Sequence, residues 1–149
     1  VTLVELMTVM AILAVSVGMF YTVWFSNWRT FDHHTAVADL WSDANEISQQ
    51  MSMDGRAASQ ITVAVGQKSV DFVNALGNTY ATYQITAAGD FTITRGAAVT
   101  TVTDRIDFAN SNFIQQGSAL QADLTLVDDE VLGPTDVSIN AQMEVFPRN

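Results

Sequence analysis

Hydrophobic positions crowd the start of this chain and then settle into two different rhythms. From Leu6 to Trp28 there is no charged residue, and apolar side chains fall on every side of a helical wheel. At about 1.5 Å per residue that stretch spans roughly 35 Å, enough to cross a bilayer. The helical period continues beyond it. Phe20, Trp24, Trp28 and Phe31 are followed by Val37, Leu40, Trp41, Ala44, Ile47 and Met51, at spacings of three and four. Asp39, Asp43 and Glu46 fall on another face. This is the signature of an amphipathic helix. No proline interrupts residues 1–53, and Asp54-Gly55 predicts the stop. The reading is one helix of about fifty residues, roughly 75 Å long. Its first half is apolar all round and needs lipid or other apolar helices; its second half needs a domain to cover.

From Ile61 the period changes to two. Strands are predicted over 61–65, 69–73, 79–86, 91–95, 105–108, 119–127 and 137–146. Turn signals at Gly66, Gly77, Gly89, Gly117 and Gly133-Pro134 separate them. Leu120, Ala122, Leu124 and Leu126 share one face, as do Val137, Ile139, Ala141, Met143 and Val145. The fold class is therefore α+β: an antiparallel sheet with one face covered by the helix stripe. Leu124, Leu126, Ile139 and Met143 are expected to meet Val37, Leu40, Trp41, Ala44, Ile47 and Met51. The organisation is a membrane or core helix over 1–28, an amphipathic half-helix over 29–54 and a β-rich head over 55–149.

Charge narrows the partners. Six Lys and Arg stand against sixteen Asp and Glu, a net charge of −10. Nucleic acid is bound through clusters of basic residues that displace counterions. Here the basic residues are few and scattered, so no nucleic-acid partner is expected. Cysteine is absent, which rules out disulfides, thiolate metal sites and thiol catalysis. No phosphate loop, nucleophile elbow or HExxH motif occurs, and no enzyme activity is expected.

Glu5 stands alone at the edge of the apolar run. A carboxylate there is costly in hydrocarbon and calls for a specific partner, the nearest candidate being an α-amino group. The first residue is Val1, which raises the expectation of a processed terminus. Thr2-Leu3-Val4-Glu5-Leu6 and the apolar run after it resemble the mature N-terminus of bacterial type IV pilins and type II secretion pseudopilins. Val1 stands where that family usually has Phe, and Thr22 where many pilins have proline. The resemblance implies a pilin-like fold. It implies that a prepilin peptidase cuts before Val1 and methylates its amine. It implies storage in the inner membrane, then polymerisation on an assembly platform into an extracellular filament. It gives Glu5 the assembly role of meeting the positive N-terminus of an adjacent copy. The bland alternative is a solvated carboxylate favoured by the helix dipole. In such a filament the helix is expected to weaken around Ser16–Gly18. A looser similarity to larger minor pilins rests on Asp54, the strand-rich head and the Val145-Phe146-Pro147-Arg148-Asn149 tail.

The remaining candidates have plain readings. The aromatics Phe20, Tyr21, Trp24, Phe25, Trp28 and Phe31 suit an interfacial belt and packing. His33 and His34 project about 100° apart on a helix and cannot share one ion. Asp128-Asp129-Glu130 with Asp136 offers hard oxygen ligands, but without the alternating pattern of a calcium loop, so a solvated turn is expected. No metal and no cofactor are expected. The function expected is a structural subunit of a type IV pilus-like filament, a homo-oligomer through its N-terminal helices. A minor pseudopilin at the tip of a type II secretion filament and a membrane-anchored binding domain that never polymerises are the alternatives. A cleavable signal peptide fits poorly, because no basic residue precedes Arg29.

Overall fold

The computed structural model describes residues 2–128 and 137–147. Val1, the Asp129, Glu130 and Asp136 part of the acidic turn, and the Arg148-Asn149 tail lie outside them. α1 runs unbroken from Leu3 to Ala57, 55 residues. Thr2 opens it as an N-cap, and no proline occurs within it. Hydroxyl groups in the apolar half bond back to the preceding turn: Thr8 to the Val4 carbonyl and Ser16 to the Ile12 carbonyl, each at 2.8 Å. These hydroxyls are thus satisfied within the helix itself, as an apolar environment demands.

The helix stops later than Asp54-Gly55 suggests. Gly55 stays helical, and Ala58 caps the end by donating its N–H to the Asp54 carbonyl at 2.9 Å. Gly55 serves close approach instead of chain reversal. A Cβ there would lie 2.0 Å from Val145 Cγ1. The buried stripe is Ala36, Leu40, Ala44, Ile47, Met51 and Gly55. Trp41, expected in the core, lies on its flank and is 53% exposed. Val37 is half-buried against the core.

The head holds two antiparallel sheets. β1 (Gln60–Val63), β2 (Ser69–Val73), β3 (Thr79–Ile85), β4 (Phe91–Arg95) and β5 (Ala98–Thr103) form a meander in chain order. β6 (Asn112–Gln116), β7 (Ala119–Asp128) and β8 (Val137–Val145) form the second sheet. Two of these strands escape the period-two reading. β5 runs as Ala-Val-Thr-Thr-Val-Thr without alternation, and β6 has Phe113 as its one buried side chain. Gly96, at φ 63, makes the turn into β5. The expected strand over 105–108 is not one. Asp107 bends the chain there, its Oδ1 accepting from the Ala109 N–H at 2.9 Å, so the segment contributes a single bridge, Ile106 to Leu126.

One core joins the helix and both sheets. Phe72, Tyr83, Phe91 and Phe113 are fully buried, with successive ring centroids 5.1, 6.0 and 6.2 Å apart. The last step crosses from β4 to β6, so the aromatic row ties the two sheets together. In the long hairpin, Leu124 opposes Ala141 and Leu126 opposes Ile139. Leu124 and Leu126 are buried as expected, whereas Ile139 and Met143 are half-buried. The covered half of α1 packs on β7 and β8 and also touches β5.

Candidate functional site

The residues that stand out are those that the head leaves uncovered. From Leu3 to Phe31 the large hydrophobic side chains of α1 are 42–76% exposed. The helix is long and apolar enough to cross a membrane, and its most apolar window is wholly unburied. Such a surface is stable only against lipid or other apolar helices.

Glu5 sits at the tip of this segment and closes a capping box with Thr2. The Glu5 carboxylate accepts from the Thr2 N–H at 3.2 Å, and the Thr2 hydroxyl accepts from the Glu5 N–H at 3.4 Å. The Thr-x-x-Glu spacing is the signal for this reciprocal cap, and it is present in the sequence. Glu5 is exposed, so its carboxylate can also meet a donor from another molecule. Val1, the expected methylation site, lies outside the described residues.

The aromatic group marks the far end of the bare segment. Tyr21 stacks on Phe25 at 6.1 Å, and Trp24 meets Trp28 edge-on at 5.8 Å. Arg29 lies 4.5 Å above the Phe25 ring, where the first basic residue of the chain meets the last aromatics of the apolar run. This arrangement suits an interface between hydrocarbon and water. His33 and His34 are exposed, with ring centroids 6.0 Å apart. Among the described residues no cluster of three His, Asp or Glu could hold a metal ion. Asp128 is buried, with Arg105 Nη1 at 3.4 Å.

A polar cluster that the sequence reading did not anticipate locks the helix end to the first sheet. Asp54 Oδ2 accepts from the Tyr83 hydroxyl at 2.6 Å and from Arg95 Nη2 at 2.7 Å. The Tyr80 hydroxyl donates to the Asp54 carbonyl. Burial, reinforced by the bond to Asp54, pushes the Tyr83 phenol well above its usual range. Burial and the Asp54 charge raise Tyr80 as well, and the bond to Asp54 holds the Arg95 guanidinium even more firmly protonated. No local spacing links Asp54, Tyr83 and Arg95 in the sequence; the β3–β4 hairpin brings them together. Asp43, on the face of α1 away from the apolar stripe, accepts from the Thr103 hydroxyl at 2.8 Å and ties α1 to β5.

Comparison with protein-family models, with curated proteins and with solved structures finds no match for this chain. The class is therefore defined by shape: an α+β protein with a long N-terminal apolar helix packed on antiparallel sheets, a pilin-like form.

Proposed function

We propose that the chain is a structural subunit of a type IV pilus-like filament, held in the inner membrane by the bare half of α1 and polymerised through it. The observation that carries this reading is the division of one continuous helix. Half of it covers the head, and the other half is apolar on every side and covers nothing. Moving such a half-helix from lipid into a bundle of like helices is nearly neutral, because both surroundings are apolar. Glu5 would then specify the axial step. Buried among apolar neighbours without a partner, its charge would cost several kcal/mol. The positive N-terminus of an adjacent copy offsets that cost in one register only.

The second reading, a membrane-anchored domain that does not polymerise, is favoured by the Thr2–Glu5 cap, which gives the carboxylate a partner within its own chain. Imaging of material sheared from cells, with mass spectrometry of its main band, separates the two. A filament made mainly of this chain supports the first reading, and membrane-bound protein with no filament supports the second. Glu5→Ala sharpens the test. Losing the Glu5 half of the box alone, which leaves the Thr2 hydroxyl accepting from the N–H of residue 5, costs at most about 1 kcal/mol of helix stability. Losing the register contact abolishes filaments while the protein stays in the membrane. Normal filaments from the Glu5→Ala strain would remove Glu5 from the assembly mechanism.

A further inference from the structure

Among the described residues, two strand edges of the head lack a partner. β1 ends the five-stranded sheet, but the Gln115 side chain fills its edge. Gln115 Nε2 donates to the Ile61 carbonyl at 3.1 Å, and Gln115 Oε1 accepts from the Val63 N–H at 3.3 Å. β6 ends the other sheet and donates its Phe113 N–H to the Gln67 carbonyl at 2.8 Å. The two sheets thus continue each other around the helix. β5 pairs with β4 alone and β8 with β7 alone. An open edge presents backbone donors and acceptors as a template for another strand.

These edges lie on opposite flanks of α1. On one flank Thr103 of β5 bonds to Asp43. On the other, Trp41, Asn45 and Ser48 face residues 140–143 of β8 across a groove of about 230 Å³. Trp41 and Asp43 project about 160° apart at 3.6 residues per turn. β5 carries no Lys, no Pro and no inward-pointing charge, and its one edge-blunting device is a bulge. Its irregularity falls at Val102, which leaves residues 98–101 in regular register. Val99 is 65% exposed on β5, and Trp41 is 53% exposed beside β8. Copies of a chain carrying −10 repel each other over most of their surface. β5 is uncharged and β8 carries Glu144 as its one charge, so these edges repel least.

We infer that the β5 edge of one copy adds to the β8 edge of the next, with Val99 of the arriving strand seated toward Trp41. The two edges differ and face apart, so the contact is head-to-tail, and in a filament it repeats from copy to copy. The inference rests on the filament reading, which supplies the neighbour, and it gives that filament a second contact outside the helix core.

The chain has no cysteine, so introduced thiols report without background. Thr100→Cys and Gln142→Cys are placed in separate full-length copies expressed together. They are treated with a bismaleimide of about 8 Å, the reach of diagonal cross-strand neighbours. The expected result is a mixed cross-linked dimer, and a ladder when both substitutions share one chain. Val99→Lys abolishes the ladder and Val99→Thr keeps it. Filament yield is read in parallel. Filaments without the mixed cross-link overturn the edge contact and leave the filament reading standing. A ladder without filaments keeps the edge contact and sinks the filament reading; absence of both sinks both. Cross-linking only between Thr100→Cys copies means a closed β5–β5 pair, and overturns the head-to-tail contact.

Discussion

Gly18 and Gly55 lie in the same unbroken helix under opposite constraints. A Cβ at Gly18 would meet nothing within 4 Å. A Cβ at Gly55 would run into Val145 at 2.0 Å. The first glycine belongs to a half-helix whose surface is unpartnered, the second to a half-helix whose surface is shaped by the sheets it covers. Helical continuity carries both, but selection on side chains acts differently along its length. In the bare half almost any apolar residue serves, because lipid or a neighbouring helix adapts to it. In the covered half the stripe mixes large residues, Leu40, Ile47 and Met51, with small ones, Ala36, Ala44 and Gly55, and the glycine sits at a close approach to Val145.

This contrast can be broken by substitution and read by urea unfolding of the full chain in detergent. The largest expected effect is at Leu40, which is fully buried. Leu40→Ala lowers head stability by about 2–5 kcal/mol. Leu13→Ala, at a position 56% exposed, leaves the head transition where it was. Equal shifts from the two would erase the distinction between the halves. Gly55→Ala comes next, at about 1–3 kcal/mol from overpacking against Val145. Gly18→Ala relieves a poor helix former and leaves the head transition unchanged.

Tyr83→Phe is smaller, about 1 kcal/mol at neutral pH from the lost bond to Asp54. It has a pH signature. The folded protein holds the Tyr83 proton more tightly than the unfolded chain does. The stability this provides is fully present below the unfolded phenol value, about 10, and is lost as pH rises through the folded value. The parent therefore loses stability above about pH 10 more steeply than Tyr83→Phe. Parallel alkaline curves for the two would mean that the Tyr83 hydroxyl is neither buried nor held by Asp54 in the folded protein. The smallest effect is at Trp41. Trp41→Ala shifts unfolding by no more than about 0.5 kcal/mol, as at other exposed positions. A shift of several kcal/mol would return Trp41 to the core.

Trp41 also marks how far the sequence could be read. Tryptophan carries far more apolar surface than alanine, so a stripe drawn through the largest apolar residues passes through Trp41 and Val37. The true stripe is turned slightly to one side, through Ala36 and Gly55. Close packing of a helix on a sheet selects small side chains, which contribute little apolar surface to a stripe. The helix itself, the long β7–β8 hairpin and four of the glycine turns were legible, because each has a strong period or a local backbone demand. β5 and β6 were not. Their backbone pairs form across a sheet end and beside polar neighbours, where alternation carries no signal. The Thr2–Glu5 cap was missed, although its Thr-x-x-Glu spacing is a local signal for it. The Asp54, Tyr83 and Arg95 cluster was not legible, since only the folded hairpin assembles it.

The way the helix is gripped has a mechanical consequence. Tension applied to the bare half meets no lateral support there, so it passes undiminished along the hydrogen-bond ladder into the covered half. It enters the head between Ala36 and Gly55, over roughly 30 Å at 1.5 Å per residue. That load is shared in shear by six buried positions, and at the far end the Gly55–Val145 interlock and the Asp54 bonds to Tyr83 and Arg95 act as an end stop. A pull on the stalk is thus spread over a long seam instead of falling on one bond.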